Sequence, residues 1–177
     1  MRERDGDFVN TQPSPVRLPY TAASPQVFRE AIGRFVTGVT VVSTVYRSRV
    51  YGTTASAVSS VSLEPPTVLV CLNKDSATGI AVAEAGGFVV NILAEEHHEL
   101  ARQFARKGGD KAERHLRPVA ESGGLPVVPD SIAHLVCQVS QEVSAGTHRI
   151  FIAEVVQISA REGAPLAYFR GQFGRFA

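Results

Sequence analysis

Gly52-Thr53-Thr54-Ala55-Ser56-Ala57-Val58-Ser59-Ser60-Val61-Ser62-Leu63-Glu64-Pro65-Pro66 runs directly into Thr67-Val68-Leu69-Val70-Cys71-Leu72-Asn73, and this stretch decides how the chain is read. Thr53, Thr54, Ser56, Ser59, Ser60 and Ser62 carry hydroxyls without a neighbouring charge, whereas a surface loop of that polarity normally carries charge and more glycine. A rigid Pro-Pro corner follows, then an apolar run that reads as a strand buried on both faces. Hydroxyls and main-chain N–H groups in a partly turned segment make a concave set of neutral donors, able to take a phosphate or the edge of a heteroaromatic ring. A Ser/Thr-rich strand edge satisfied by water is the alternative.

Outward from this stretch, the upstream chain gives Ser24-Pro25 as a helix cap and first-turn proline, with Val27, Phe28, Ala31, Ile32 and Phe35 at helical spacing up to about Thr37-Gly38. Val39 to Val45 is a β-branched strand, and Arg47-Ser48-Arg49 turns it back into Val50-Tyr51. Downstream, Ser76 caps a short helix to about Ala85, Phe88 to Leu93 is a strand, and Glu95 to Lys107 is an amphipathic helix. Residues 110–130 read as a surface loop, and strands are expected over Ala133–Val143, Arg149–Ser159 and Leu166–Phe169. Residues 1–23 read as a flexible tail and 24–177 as one domain. The expected fold is mainly β with peripheral helices, an antiparallel sheet closed into a barrel.

With 177 residues and 44% hydrophobic content the chain can bury a core. A net charge of +1 and a pI near 7.9 give no reason to expect nucleic acid or an anionic membrane as partner. No apolar run reaches the length of a membrane span, and residues 1–24 lack the apolar centre of a signal peptide. Cys71 and Cys137 sit in apolar runs, as buried reduced thiols do, and a cytoplasmic location is expected.

Motifs for familiar chemistries are missing. No Gly-x-Gly-x-x-Gly opens a helix, no phosphate-binding loop ends in Gly-Lys-Ser/Thr, and no Gly-x-Ser-x-Gly marks a nucleophile. Glu95 and His98 lie three apart on a helix, but the second Glu-x-x-His of a di-iron site is absent, so a solvated helix face and no metal are expected. His148, in Gly146-Thr147-His148-Arg149, stands at the mouth of a strand. Local sequence favours an imidazole hydrogen-bonded in a turn, with a pocket-facing ring as the alternative.

Taken together, Phe35 to Val42, Gly52 to Pro66, Cys71 to Ser76, Phe88 to Leu93, Gly146 to Val155 and Pro165 to Gly171 resemble, in order, the motifs of the short-chain flavin reductase-like proteins, reductase components of two-component flavin monooxygenases. The resemblance runs from Phe28 to about Phe173. It implies a split β-barrel of the FMN-binding type that takes FMN or FAD, usually as a homodimer, reduces it with NADH or NADPH, and hands it to a separate monooxygenase. It further implies flavin contacts at Thr54, Ala55, Ser56, Ser59 and Ser60, with Asn73 and Ser76 near the ring or its side chain. Phe104 and Arg106 would lie by the adenine or phosphate end. Gly146 and His148, the latter a candidate for positioning the nicotinamide, would line the donor side, and Tyr168 to Phe173 would close the pocket. Two positions depart from the family pattern: Thr147 where aspartate is common and Ala153 where glycine is common. Rival readings are a protein that retains its flavin and acts on an organic substrate, and a non-catalytic flavin- or haem-binding module.

Overall fold

The computed structural model describes residues 21–175 apart from 107, 109, 110, 120 and 121. The expected tail therefore lies, up to residue 20, outside the described residues. Helix α1 is Pro25–Ile32, started by the Ser24 side chain accepting from the Val27 N–H. It ends earlier than the periodicity predicts. Gly33 closes the last turn on the Arg29 carbonyl, and Thr37–Gly38 leave helical geometry to form β1, which pairs with Tyr168 and Ala167. A ladder partner more than a hundred residues away overrides the local pattern, and β-branched Val36 and Thr37 resist helix in any case.

The main antiparallel strands are β2 (Thr40–Tyr46), β3 (Arg49–Ala55), β4 (Val58–Leu63), β5 (Pro66–Asn73), β6 (Gly87–Ile92), β9 (Ala133–Ala145) and β10 (His148–Ala160), hydrogen-bonded in the order β3-β2-β6-β9-β10-β5-β4. Arg47 and Ser48, both at positive φ, supply the tight turn between β2 and β3. The hydroxyl-rich stretch is thus two strands rather than a turned segment between strands. The sheet is not closed: among the described residues its end strands β3 and β4 share no ladder and are joined only through Ser56–Ala57. The mainly β fold with peripheral helices stands, with the barrel left split. A smaller sheet combines β1 with β11 (Leu166–Phe169) and β12 (Gln172–Arg175). Val39 ties the two sheets together, donating to the Leu166 carbonyl and accepting from the Leu93 N–H.

Alternation along β2 sends Val42 into one core, with Val70, Phe88, Val90 and Phe151, and Val41 into another, with Val39, Leu93, Phe104 and Leu166. Asn91, fully buried, donates to the Val41 carbonyl at 2.8 Å and to Ser43 Oγ at 2.9 Å, and accepts from the Val128 N–H at 2.8 Å. Each polar atom of its amide is therefore satisfied, as burial requires. β5 is buried on one face only. Val68, Val70 and Leu72 point into the core while Leu69 and Cys71 stay half-buried beside a cavity that leaves the second face open.

The segment expected as a surface loop over 110–130 contains α4 (Lys111–His115) and the short strands β7 (Arg117–Pro118) and β8 (Pro126–Val127). Leu116, Val127 and Val128 bury themselves there, which the averaged charge and Gly/Pro content of the segment conceals. Helix α2 is Ala77–Ala85, ended by Gly86 in the left-handed region. The expected Glu95–Lys107 helix is a 3-10 turn, Glu95–His97, leading into α3, His98–Ala105. Among the described residues no helix is long and apolar enough to cross a membrane.

Candidate functional site

Where β3 gives way to β4, the chain's hydroxyls divide into those that hold the fold and those left over. Thr54 Oγ1 donates to the Ala101 carbonyl at 2.7 Å, fastening β3 to α3, and the Ala55 carbonyl accepts from Thr40 Oγ1 at 2.7 Å. Ser59 Oγ turns onto the neighbouring Ser60 carbonyl at 3.1 Å. Among the described residues the hydroxyls of Ser56 and Ser60 have no protein partner.

Ser56, Ser59 and Ser60 border a cavity of about 1180 Å³, faced by α1 and the Phe35–Gly38 segment, by Cys71 and Leu135 of the sheet, and by Tyr168. Its wall is mostly apolar, and Glu30 is the one carboxylate among the described residues that line it. Thr37 Oγ1 is buried at this wall and has no hydrogen-bond partner among the described residues. The Cys71 thiol, on the same wall, has its pKa raised by burial, so it is a poor nucleophile at neutral pH.

A second cavity of about 490 Å³ shares Ser56, Tyr168 and Gly171 with the first and is bordered by Thr54, Arg102 and Arg106. Arg102 pairs with Glu99 at 2.6 Å and lies 5.7 Å above the Phe173 ring, whose centroid is 5.5 Å from that of Tyr168.

The two cavities bring together Thr54, Ser56, Ser59, Ser60, Arg106 and Tyr168 of the expected site residues. Ala55 lines neither cavity: it is buried, and its carbonyl accepts from Thr40. Phe104 requires a correction. Its ring is fully buried against Gly52 and Leu116 and 6.2 Å from the His115 ring, so no face remains for an adenine or phosphate. The α3 periodicity identified the apolar face and left its partner open.

Asn73, Ser76, Gly146 and His148 gather at a different place, around the start of β10, and line neither cavity. His148 is opposite Asn73 in the β10–β5 ladder, and the Lys74 N–H donates to the Thr147 carbonyl at 3.1 Å. Asn73 Oδ1 accepts from the Asp75 N–H, while Ser76 Oγ donates to the Asn73 carbonyl and accepts from the Gly79 N–H, which makes it the α2 cap. Gly146 holds a positive φ in the β9–β10 turn, and His148 is exposed with Nδ1 2.9 Å from Thr147 Oγ1. Among the described residues no group of three or more His, Cys, Asp or Glu is placed to hold a metal. The sequence reading gave no site role to Thr37, Arg29 or Arg34 at the larger cavity, and had Arg170 only within the Tyr168–Phe173 stretch expected to close the pocket. The sole available signal was position beside the Thr37-Gly38 corner, since the β1–β11 pairing that closes the cavity is long-range.

An apolar slot edged by unpaired neutral hydroxyls and poor in acid–base groups fits a planar heteroaromatic ring better than a hydrolytic substrate. Its orphaned Thr37, Ser56 and Ser60 hydroxyls fit the polar edge of such a ring.

Comparison with known proteins agrees with this geometry. The profile described as flavin reductase like domain matches residues 32–177. The reductase component of a 4-nitrophenol 4-monooxygenase/4-nitrocatechol 2-monooxygenase from Rhodococcus opacus is 43% identical over 149 residues, covering 84% of this chain and 80% of that protein. The FMN reductase (NADH) SmoA of Agrobacterium fabrum is 37% identical over 150 residues, covering 85% of each. Among solved structures, the NADH:FAD oxidoreductase SgcE6 of Streptomyces globisporus C-1027, in complex with NAD and FAD fragments, superimposes with a TM-score of 0.81 at 31% identity, covering 89% of this chain and 98% of that one.

Proposed function

The chain belongs to the flavin reductase-like domain family, and on that premise we propose that it is an NAD(P)H-dependent flavin reductase supplying reduced FMN or FAD to a separate monooxygenase. The observation that carries this reading is the larger cavity, mostly apolar and edged by neutral hydroxyls, with Glu30 the one carboxylate among the described residues that line it. The flavin supplies the chemistry when bound, accepting a hydride from the reduced nicotinamide and carrying the electrons away. The protein's own task is to bind and order. The Ser56–Ser60 edge and Thr37 donate to polar ring atoms, Leu69, Cys71 and Leu135 exclude water from one face, and Tyr168 restricts the mouth. Arg106, at the smaller cavity, takes the flavin phosphate end, while Thr54 beside it holds β3 to α3.

The relatives' names include both an FMN and a FAD reductase, each with NADH. A homodimer fits the exposed apolar residues of α1 and of the segment after it, where Phe28 and Phe35 are 62% and 70% exposed, a cost that a second copy would remove. A cytoplasmic setting suits a protein that exchanges flavin with another soluble component. The test is the loss of NADH absorbance on adding FMN or FAD to purified protein. Turnover supports the reading, and no turnover with either flavin and either nicotinamide rejects it. A stoichiometric flavin that survives purification while free flavin goes unreduced would favour the retained-flavin rival.

A further inference from the structure

The small sheet ends at β12, which pairs with β11 on one side and, among the described residues, has no ladder partner on the other. Side chains therefore decide how this edge sits on the body of the protein. Phe173 packs against the core of Val39, Leu93, Phe104 and Leu166, Arg175 Nε lies 3.4 Å from Glu95 Oε2, and the Arg102 guanidinium lies over the Phe173 ring, 5.7 Å from its centroid. Arg102 is aimed from α3 by Glu99, one turn earlier, whose carboxylate accepts from its Nη1 at 2.6 Å. Both side chains are more than half exposed, so the ion pair adds little stability of its own, and its effect is to place the guanidinium.

Register carries this contact to the larger cavity. Thr37, Tyr168 and Phe173 are direct partners across β1, β11 and β12, so their side chains form one row on one face of the sheet. The Tyr168 and Phe173 centroids are 5.5 Å apart with the planes tilted by 56°, a favourable arrangement for two rings. Tyr168 lines both cavities, while Phe173 and Arg102 line the smaller one. We propose that Arg102 is a positioning residue for flavin reduction: from α3 it backs Phe173, and through Phe173 it holds Tyr168 against the flavin, a reading that rests on the reductase function above. A guanidinium suits this place because it stacks on an aromatic face better than an ammonium does. The Glu99 carboxylate already occupies its Nη1, which ties Arg102 to the aromatic row rather than to a ligand phosphate.

The experiment titrates the full chain with FMN, in native form and as Arg102→Ala, Arg102→Lys, Phe173→Leu, and Arg102→Ala combined with Phe173→Leu. Two quantities are read: affinity, and the fluorescence of the bound flavin. A tyrosine in contact with the isoalloxazine quenches it by electron transfer, the chain has no tryptophan, and Tyr168 is the one tyrosine lining either cavity among the described residues. Bound FMN should be dim in the native chain and brighter in Tyr168→Phe, which establishes the reporter. Arg102→Ala should weaken FMN binding about two- to fivefold, the range of one exposed cation over a ring, and should brighten the bound flavin. Lysine should recover part of both effects, since it returns the charge without the planar stack. Phe173→Leu should show the same losses, and adding Arg102→Ala to it should change affinity by less than about 1.5-fold, because the path through Phe173 is already gone. Bound flavin equally bright in native and Tyr168→Phe protein, or unchanged brightness in Arg102→Ala, would overturn the assignment. So would a full further loss of affinity when Arg102→Ala is added to Phe173→Leu, which would make Arg102 a direct contact of the flavin phosphate. Failure of the reductase reading looks different: the native chain would then bind neither FMN nor FAD and oxidise no reduced nicotinamide, and the inference would fall with it.

Discussion

The Phe104 ring packs directly on the bare backbone of Gly52: a Cβ built on that glycine would lie 2.6 Å from Phe104 Cε1 and 3.1 Å from Leu116 Cδ1. The first residue of the hydroxyl-rich stretch is therefore where α3 and the α4 segment are pressed onto β3, and the glycine is there for closeness rather than for an unusual φ. Gly52→Ala should destabilise by about 1–3 kcal/mol through overpacking, and Phe104→Ala by about 3–5 kcal/mol through the cavity it leaves. Urea unfolding checks both. Phe104→Leu, which keeps most of the volume, should bind flavin as the native chain does, and a selective loss of flavin affinity in that variant would return Phe104 to the ligand site.

The leftover hydroxyls should matter to ligand and hardly to fold. Ser56→Ala and Ser60→Ala should each weaken flavin binding by about two- to tenfold, the range of a single neutral hydrogen bond. Thr37→Val should weaken it similarly while leaving stability equal or higher, because the native Oγ1 is buried without a partner. Ser59→Ala should do less, since that hydroxyl is already turned onto the Ser60 carbonyl. Flavin fluorescence titration beside urea unfolding separates the two effects.

Burial holds the His97 imidazole below its ordinary pKa of 6.5, outweighing Glu96 and Asp130, which favour its proton, while Arg161 adds to the lowering. Its Nδ1 is buried with no partner among the described residues, which suits the neutral form. The unfolded chain then binds the proton more readily than the fold does. This contribution to stability is full above the unfolded pKa and is lost as pH falls through 6.5 toward the lower folded value. His97→Gln should lose less stability than the native chain between about pH 7.5 and about pH 5, read from urea midpoints. Parallel losses in the two proteins would show that His97 is not the group responsible.

The two thiols should be sluggish. Burial pushes Cys137 up to about 12 and raises Cys71 as well. Reaction with a thiol-directed reagent at neutral pH should reach Cys137 only on unfolding and Cys71 slowly, and flavin should slow Cys71 further because it lines the larger cavity. Rapid labelling of Cys71 that flavin does not affect would place the ligand elsewhere.

Much of the fold was legible because its signals are local. Ser24-Pro25 capped α1 as read, β-branched residues from Val39 onward announced β2, and Ser76 and Gly86 bracketed α2. What escaped depends on partners distant in sequence. The end of α1 is decided by Thr37 pairing with Tyr168, the half-exposed face of β5 by the cavity beside it, and the burial of Leu116, Val127 and Val128 by neighbours that composition cannot name. The same limit holds for the site. The hydroxyl run was visible as a neutral donor set, but its division into structural Thr54 and unpaired Ser56 and Ser60 needed the position of Ala101. Arg29 and Arg34 drew no notice, because what sets the end of α1 beside the pocket-closing turn is the long-range bond from the Arg170 N–H to the Gly33 carbonyl.

If the slot between α1, the Ser56–Ser60 edge and Tyr168 receives the isoalloxazine ring as proposed, a crystal structure grown with excess flavin will show it. Ring density is expected in that slot, with Ser56, Ser60 or Thr37 within hydrogen-bonding distance of its polar edge. Flavin bound away from this slot, with these hydroxyls still unpaired, would contradict it.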